Sequence, residues 1–408
     1  DRTLARYAVR AAAPLLGAYP ASIQGLYAAR GRGEVSGFTV PAVNIRGMTY
    51  DTARALFRAM AASDCLAAVF ELNRAEVAFS SQEPEEFAVC VLGAAIAEGH
   101  RGPVFIQGDH VQFNARAYAT DPSAETAAVE DLVRRMVAAQ FYNIDIDAST
   151  LVDLSFPGVA AQQAVNAALT ARLVALVRDL EPPGVSISIG GEIGEVGAHN
   201  STEDELVAYV EAVRELTEGQ PGPGLSKLSV QTGTTHGGIP LPGGGVAEVA
   251  LDFDALRRLG HTARTRYGMA GCVQHGASTL PDELFHLFPE AETAEVHLAT
   301  GFQNLLMDHP AFPAPLLDAM RGWAQTSLAA ERKPGEADDQ FFYSVRKTAW
   351  GAFKAETWAI APAAKAAMFA GLEARFRFMI DELQANHTAK PVLAHVVHSP
   401  ADVPPPRN

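Results

Sequence analysis

"FYNIDIDAS", residues 141–149, alternates from Asn143 onward. Successive side chains of a strand point to opposite faces, so Asn143, Asp145, Asp147 and Ser149 share one face and Ile144, Ile146 and Ala148 the other. Segments with helical periodicity, 124–140 and 162–180, flank this strand. A strand reached and left through helices belongs to a parallel sheet with right-handed crossovers. Its aliphatic face then meets the outer helices, and its polar face points inward.

The same reading extends along the chain. Strands are expected over 37–44, 66–73, 103–109, 141–148, 185–192, 226–233, 270–275 and 294–299, with helical segments at 49–63, 85–99, 203–217 and 252–265 as well. Eight strand–helix units between Gly37 and Thr300 match the size of a closed α/β barrel of the (β/α)8 TIM type, about 250 residues. The expected organisation is an N-terminal helical extension over 1–35, a TIM-barrel catalytic domain over 36–310, and a C-terminal helical extension over 311–408 packed on the barrel.

Composition narrows the function. The 408 residues are 48% hydrophobic and 19% charged, enough apolar material for a large core. A net charge of −15 argues against nucleic acid and against an anionic membrane surface as partners. Cys65, Cys90 and Cys272 are far apart and form no CxxC, which disfavours disulfides and cysteine-rich zinc sites and points to a reducing cytoplasm. No apolar run reaches the roughly 18–20 residues of a membrane span, and the start at Asp1 shows no signal-peptide pattern.

Function in such barrels collects where the strands end. Here those ends carry Asn44, Asn73, Asp109-His110, Asp147 and Ser149, Glu192, His236, His275 and His297. Strand ends are often polar because they meet solvent. Yet four of the 12 histidines fall at these positions. Glu192 and the inner faces of 185–192 and 294–299 repeat the polar-inward parity, and polar groups inside a barrel mouth are costly unless paired or hydrated. Histidines with an acid and no cysteine suit Zn²⁺ or another divalent metal, and their dispersion excludes a zinc finger or an HExxH helix. Asp109 closes its strand, and His110 is expected just past the end. "GGEIGEVG" (190–197) lacks the dinucleotide fingerprint, whereas "TTHGG" (234–238) and "HGAST" (275–279) put Gly beside His, where backbone N–H groups approach an anion or simply form tight turns.

Those motifs, in this order over roughly residues 35–350, resemble the class II, zinc-dependent fructose-bisphosphate aldolases and their ketose-bisphosphate relatives. The family's Asp-His matches Asp109-His110; its Asp-x-Ser matches "DAS", Asp147 and Ser149; its Glu-x-Gly matches "EIG"; its two His-Gly motifs match "THGG" and "QHGAST"; its last strand motif matches "EVHLAT". The resemblance implies reversible aldol cleavage or condensation of a ketose or ketose phosphate through a zinc-stabilised enediolate. His110, His236 and His275 would hold the metal, Asp109 would move the proton of the hydroxyl at the cleaved bond, and Glu192 would stand near the metal. Gly237, Gly276, Ser278 and Thr300 match the family's phosphate pocket, and Arg346 a C-terminal phosphate-gripping arginine. Small-molecule ketoses and aldehydes are the implied partners, in a homodimer or homotetramer.

The departures concern the substrate. Pro240 stands where the family carries a phosphate-binding Lys, His297 where it carries the Asn that holds substrate, and Glu295 where it carries a Lys. Gln107 replaces the usual His or Leu two residues before Asp109. The loop after Glu192 has His199 and Asn200 near the positions of an acidic pair, so His199 is the candidate replacement base. Losing a cation and gaining Glu295 disfavour phosphate at that end. An aldolase for a non-phosphorylated hydroxy-keto substrate, and a non-catalytic homologue serving as a partner subunit, are the alternatives. A barrel metallohydrolase would place an HxH pair on the first strand, which ends "VPAVN".

Overall fold

The computed structural model describes residues 2–194, 199–233, 251–398 and 403. Nine strands run in sequence: β1 (Ala18–Pro20), β2 (Val40–Asn44), β3 (Val69–Asn73), β4 (Gly102–Gln112), β5 (Asn143–Asp147), β6 (Ser188–Gly194), β7 (Lys227–Val230), β8 (Cys272–Gln274) and β9 (Glu295–Leu298). Every pairing is parallel, β2 to β9 form a continuous ring closed by the β2–β9 and β4–β5 pairs, and β1 adds to the outside start of β4. This is the (β/α)8 barrel that the alternation implied.

The parity argument explains the layers. Ile144 and Ile146 of β5, and Val296 and Leu298 of β9, join the core between sheet and helices, each contributing roughly 1.5–3 kcal/mol by leaving water. The helices Thr49–Ala62, Pro84–Ala97, Pro122–Ala138, Ala164–Leu180, Glu203–Leu216 and Phe253–Tyr267 cover that face. Their starts are fixed locally. Asp121 accepts from the N–H groups of Ser123 and Ala124, and Thr202 with Glu205 forms a capping box.

Both chain ends seal the barrel. Below it, the segment before the first barrel strand is a floor: Ile23 donates its N–H to Asn143 Oδ1 (2.9 Å), Ser188 donates to Ser22 Oγ (3.0 Å), and Ile23, Leu26 and Tyr27 pack with Val40, Val69 and Phe105. The sequence pattern showed helices here and missed β1, whose three residues are too few to show a period. Beyond the barrel, the helix Pro362–Glu382 packs along Thr49–Ala62, and Leu383 accepts from Thr39 N–H at 2.9 Å. Two glycines seat this region. A Cβ on Gly47 would drive into the Trp350 ring, and one on Gly351 into the Phe79 carbonyl. No helix among the described residues is long and apolar enough to cross a membrane.

Candidate metal centre and substrate cavity

β4 does not end at Asp109. It runs to Gln112, and its register with β5 shifts: Gly108 pairs with Ile144 and Val111 with Ile146. Two residues, Asp109 and His110, therefore oppose the single Asp145. Such a bulge breaks the strict alternation of faces. His110 adopts φ of +40° to make it, an uncommon backbone for a residue with a Cβ. The result brings two adjacent side chains to one mouth. His110 stacks on His275, ring centroids 4.0 Å apart, and Asp109 Oδ1 lies 3.4 Å from His275 Nε2.

His110, Glu192 and His275 each offer a ligand atom within 4.8 Å of the others'. His236 and Gly237 lie outside the described residues, as does Pro240. His110 Nδ1 faces Asp147 Oδ2 at 3.0 Å and Glu192 Oε2 at 3.2 Å. Asp147 is itself fixed by Gln112 Nε2 (2.6 Å), Ser149 N (3.0 Å) and Ser149 Oγ (2.7 Å). Asp147 and Ser149, the Asp-x-Ser pair expected to bind substrate, thus stand behind His110, where a carboxylate sets ring orientation and tautomer. Burial alone would push His110 down, but Asp109, Glu192 and Asp147 hold its pKa well above the usual imidazole value. Burial, with Asp147 beside it, pushes Glu192 up to about 7. Burial and the charges of His110 and His297 press His275 well below the usual range, leaving a neutral imidazole of the kind metals take.

Above these residues opens a cavity of about 300 Å³ lined by Asn44, Asn73, Asp109, His110, His275, Gly276, Ser278, His297 and Thr300 among others. Nine sequence-predicted positions are thereby brought to one space. Asn44 Nδ2 donates to Asp109 Oδ2 at 3.2 Å, and its buried Oδ1 has no hydrogen-bond partner among the described residues. Asn73 also caps the helix Arg74–Phe79. Ser278 Oγ accepts from Gly301 N–H at 3.0 Å.

Asp147, Ser149 and Glu192 stand at His110 rather than in the cavity lining, and two further predicted residues reach neither place. His199 is exposed, with Nδ1 on the carbonyl of Asn200, and does not line the cavity. Arg346 is buried against Asp308 and Asn304. Three cations that the sequence reading missed line the cavity instead: Arg46, Lys333 and Lys347. Arg46 Nη1 donates to Thr300 Oγ1 (3.2 Å), while its Nε pairs with the buried Glu76 at 2.9 Å. Desolvation within the cavity and the nearby Arg46 charge lower the pKa of Lys347 although the residue as a whole is exposed at the rim. Arg46 follows the polar β2 end by two residues, which was the available signal. Lys333 comes from irregular chain and Lys347 from the short 3-10 helix Arg346–Thr348, both beyond the barrel, where no strand parity points to them.

Glu295 was expected to repel phosphate. It is fully buried below the cavity and pairs with Lys227, which also meets Asp145 at 2.9 Å and donates to Gln107 Oε1 at 2.9 Å. Its charge is neutralised inside the barrel and does not face the substrate space. His297 caps this layer, with Nε2 2.6 Å from Glu295 Oε1 and Nδ1 3.0 Å from Asp109 Oδ1.

Residues 31–349 match the family described as fructose-bisphosphate aldolase class-II. Among curated proteins none matches the chain. Solved structures share the fold at low identity. The YdjI aldolase from Escherichia coli K12 is 14% identical, with 90% of this chain and 99% of that one covered at a TM-score of 0.53. A probable tagatose 6-phosphate kinase from Sinorhizobium meliloti 1021 is 17% identical, covering 88% and 98% at 0.59. The fructuronate-tagaturonate epimerase UxaE from Cohnella laeviribosi is 11% identical, covering 86% and 82% at 0.60.

Proposed function

We propose, for a chain that belongs to the class-II fructose-bisphosphate aldolase family, that it is a divalent-metal-dependent aldolase whose ketose substrate carries an anionic group. The observation that carries this reading is the β4 bulge, which sets an acid and an imidazole side by side at one cavity. The donor set fits the ion: two imidazoles and a carboxylate, closely grouped and backed by Asp147. Zn²⁺ or a similar ion held by His110, His275 and Glu192, with His236 as the further ligand offered by the motif, would supply a Lewis acid for the substrate carbonyl.

The chain's own groups do the rest. In cleavage, Asp109 takes the proton of the hydroxyl at the bond that breaks; that carbon leaves as an aldehyde, and the bonding pair passes to the carbon beside the ketone. Condensation returns the proton. His297 and Asn44 keep both Asp109 oxygens aimed, and Asn44 Oδ1 offers an acceptor to a substrate hydroxyl. Arg46 beside Thr300, with Lys347 at the rim, supports an anion in this cavity.

The test is to load the protein with Zn²⁺ and incubate it with dihydroxyacetone phosphate in D₂O, then with an added aldehyde. Deuterium entering beside the carbonyl, condensation, and loss of condensation in a metal-replete Asp109→Ala support the reading. A protein that takes up no divalent ion, or catalyses neither step, overturns it.

A further inference from the structure

We infer that Tyr27, in the floor beneath the barrel, is a positioning residue for Asp109 and acts through Glu295 and His297. The inference rests on the aldol reading, because it concerns the group that moves the hydroxyl proton. Four residues form a line along the barrel axis. Tyr27 OH donates to Glu295 Oε2. Glu295 Oε1 faces His297 Nε2 at 2.6 Å, and His297 Nδ1 faces Asp109 Oδ1 at 3.0 Å. All four are at most 4% exposed.

The two oxygens of Glu295 are held differently. Oε1 also accepts from Lys227 and from Gln107 Nε2 (2.9 Å), whereas Oε2 has Tyr27 as its one hydrogen-bond partner among the described residues. One point fixes the carboxylate's position; the second fixes its rotation. His297 is clamped in turn, since each ring nitrogen meets a carboxylate. Asp109 leans on that clamp, because His297 at 3.0 Å is its nearest ring partner: His275 Nε2 stands farther off at 3.4 Å from the same oxygen, and the other oxygen accepts from Asn44 at 3.2 Å. A space-filling role for Tyr27 does not account for the hydroxyl: phenylalanine would fill the floor equally well. The chain of contacts also runs through Glu295 and His297, the positions at which this sequence departs from the family's last strand motif.

The experiment compares zinc-loaded wild type, Tyr27→Phe, His297→Asn and the double variant in condensing dihydroxyacetone phosphate with glycolaldehyde. Tyr27→Phe is expected to retain its zinc content and its KM for dihydroxyacetone phosphate while kcat falls about ten-fold, the scale on which outer partners of a site act. The double variant is expected to be no slower than His297→Asn alone, since both changes cut one line of contacts. A floor that merely packed would lower metal content or raise KM as kcat fell, and its effect would multiply with that of His297→Asn. Wild-type kcat in Tyr27→Phe, or multiplied losses in the double variant, overturns the inference while leaving the aldol reading standing. A wild type that neither exchanges nor condenses overturns the aldol reading, and this inference with it.

Discussion

Arg346 and Lys347 are consecutive, yet Arg346 is held by Asp308 and Asn304 while Lys347 lines the substrate cavity. Among the described residues no carboxylate lies within ion-pair distance of the Lys347 ammonium, which is therefore available to a ligand. Lys347→Ala should raise KM for a phosphorylated ketose about ten-fold, the value of one charge-assisted hydrogen bond, with little change in kcat. The pH dependence has a definite sign. Lys347 binds an anion only when protonated, and its pKa is lowered, so KM should climb with rising pH below the range of an ordinary lysine, about 10.4. Lys347→Arg should flatten that climb. Steady-state kinetics between neutral and alkaline pH measure both.

Asp147 touches His110 and is 1% exposed. Asp147→Asn should weaken zinc binding by roughly 10–100-fold and leave KM for substrate, measured at saturating zinc, nearly unchanged. His275→Ala should lose the metal outright. Titration with a competing chelator separates the two cases. A large KM effect in Asp147→Asn would instead place Asp147 on the substrate.

Among the described residues, Lys227 is the ammonium paired with the buried carboxylates Asp145 and Glu295, with buried Glu71 nearby. Lys227→Met should cost roughly 3–5 kcal/mol in urea unfolding, because it strands charges that the cation compensates. Burial would raise the Glu295 pKa, but Lys227 and His297 outweigh it and hold the group well below the usual carboxylate range. A depressed carboxylate gives stability above its unfolded value, near 4.3, and loses it as pH falls through the folded value. Wild type should therefore weaken in strong acid. In Lys227→Met that contribution is gone, and protonation relieves the stranded carboxylates, so the gap between the two proteins should narrow on acidification.

Cys65, Cys90 and Cys272 are buried free thiols, each pushed up to about 12 by burial. The native protein should resist a thiol-titrating reagent at pH 8, and three thiols should react once it is unfolded. Fast labelling of the native state would show that local opening exposes these segments.

The barrel was legible because its period is short. "NIDID" announces both faces of β5 within five residues, and the helices between strands carry their own repeat. Side chains directed by strand parity, such as Glu192 and His297, were found for the same reason, and Asn44 because it closes its strand. What stayed hidden depends on geometry across the chain. Nothing local tells that Asp109 and His110 share a bulge rather than a strand end. Glu295 read as a threat to phosphate because its partner Lys227 sits 68 positions away. Tyr27 reads as an ordinary helix aromatic until the floor folds under β9. Arg46 and the rim lysines were missed because loops have no period to betray which way a side chain turns.

The two side-chain-less seats at Gly47 and Gly351 have an evolutionary meaning. Asp109, His110 and His297 belong to strands of the barrel, whereas Lys333 and Lys347 belong to the chain beyond it, which meets Gly47 through Trp350 and Phe79 through Gly351. On the aldol reading, substitutions in that outer segment would change which anionic substrate is held while the groups on the strands keep their alignment. A methyl group at either seat would displace Trp350 or the Gly351 backbone, close in sequence to Lys347, so drift there should disturb anion binding before it touches the groups on the strands.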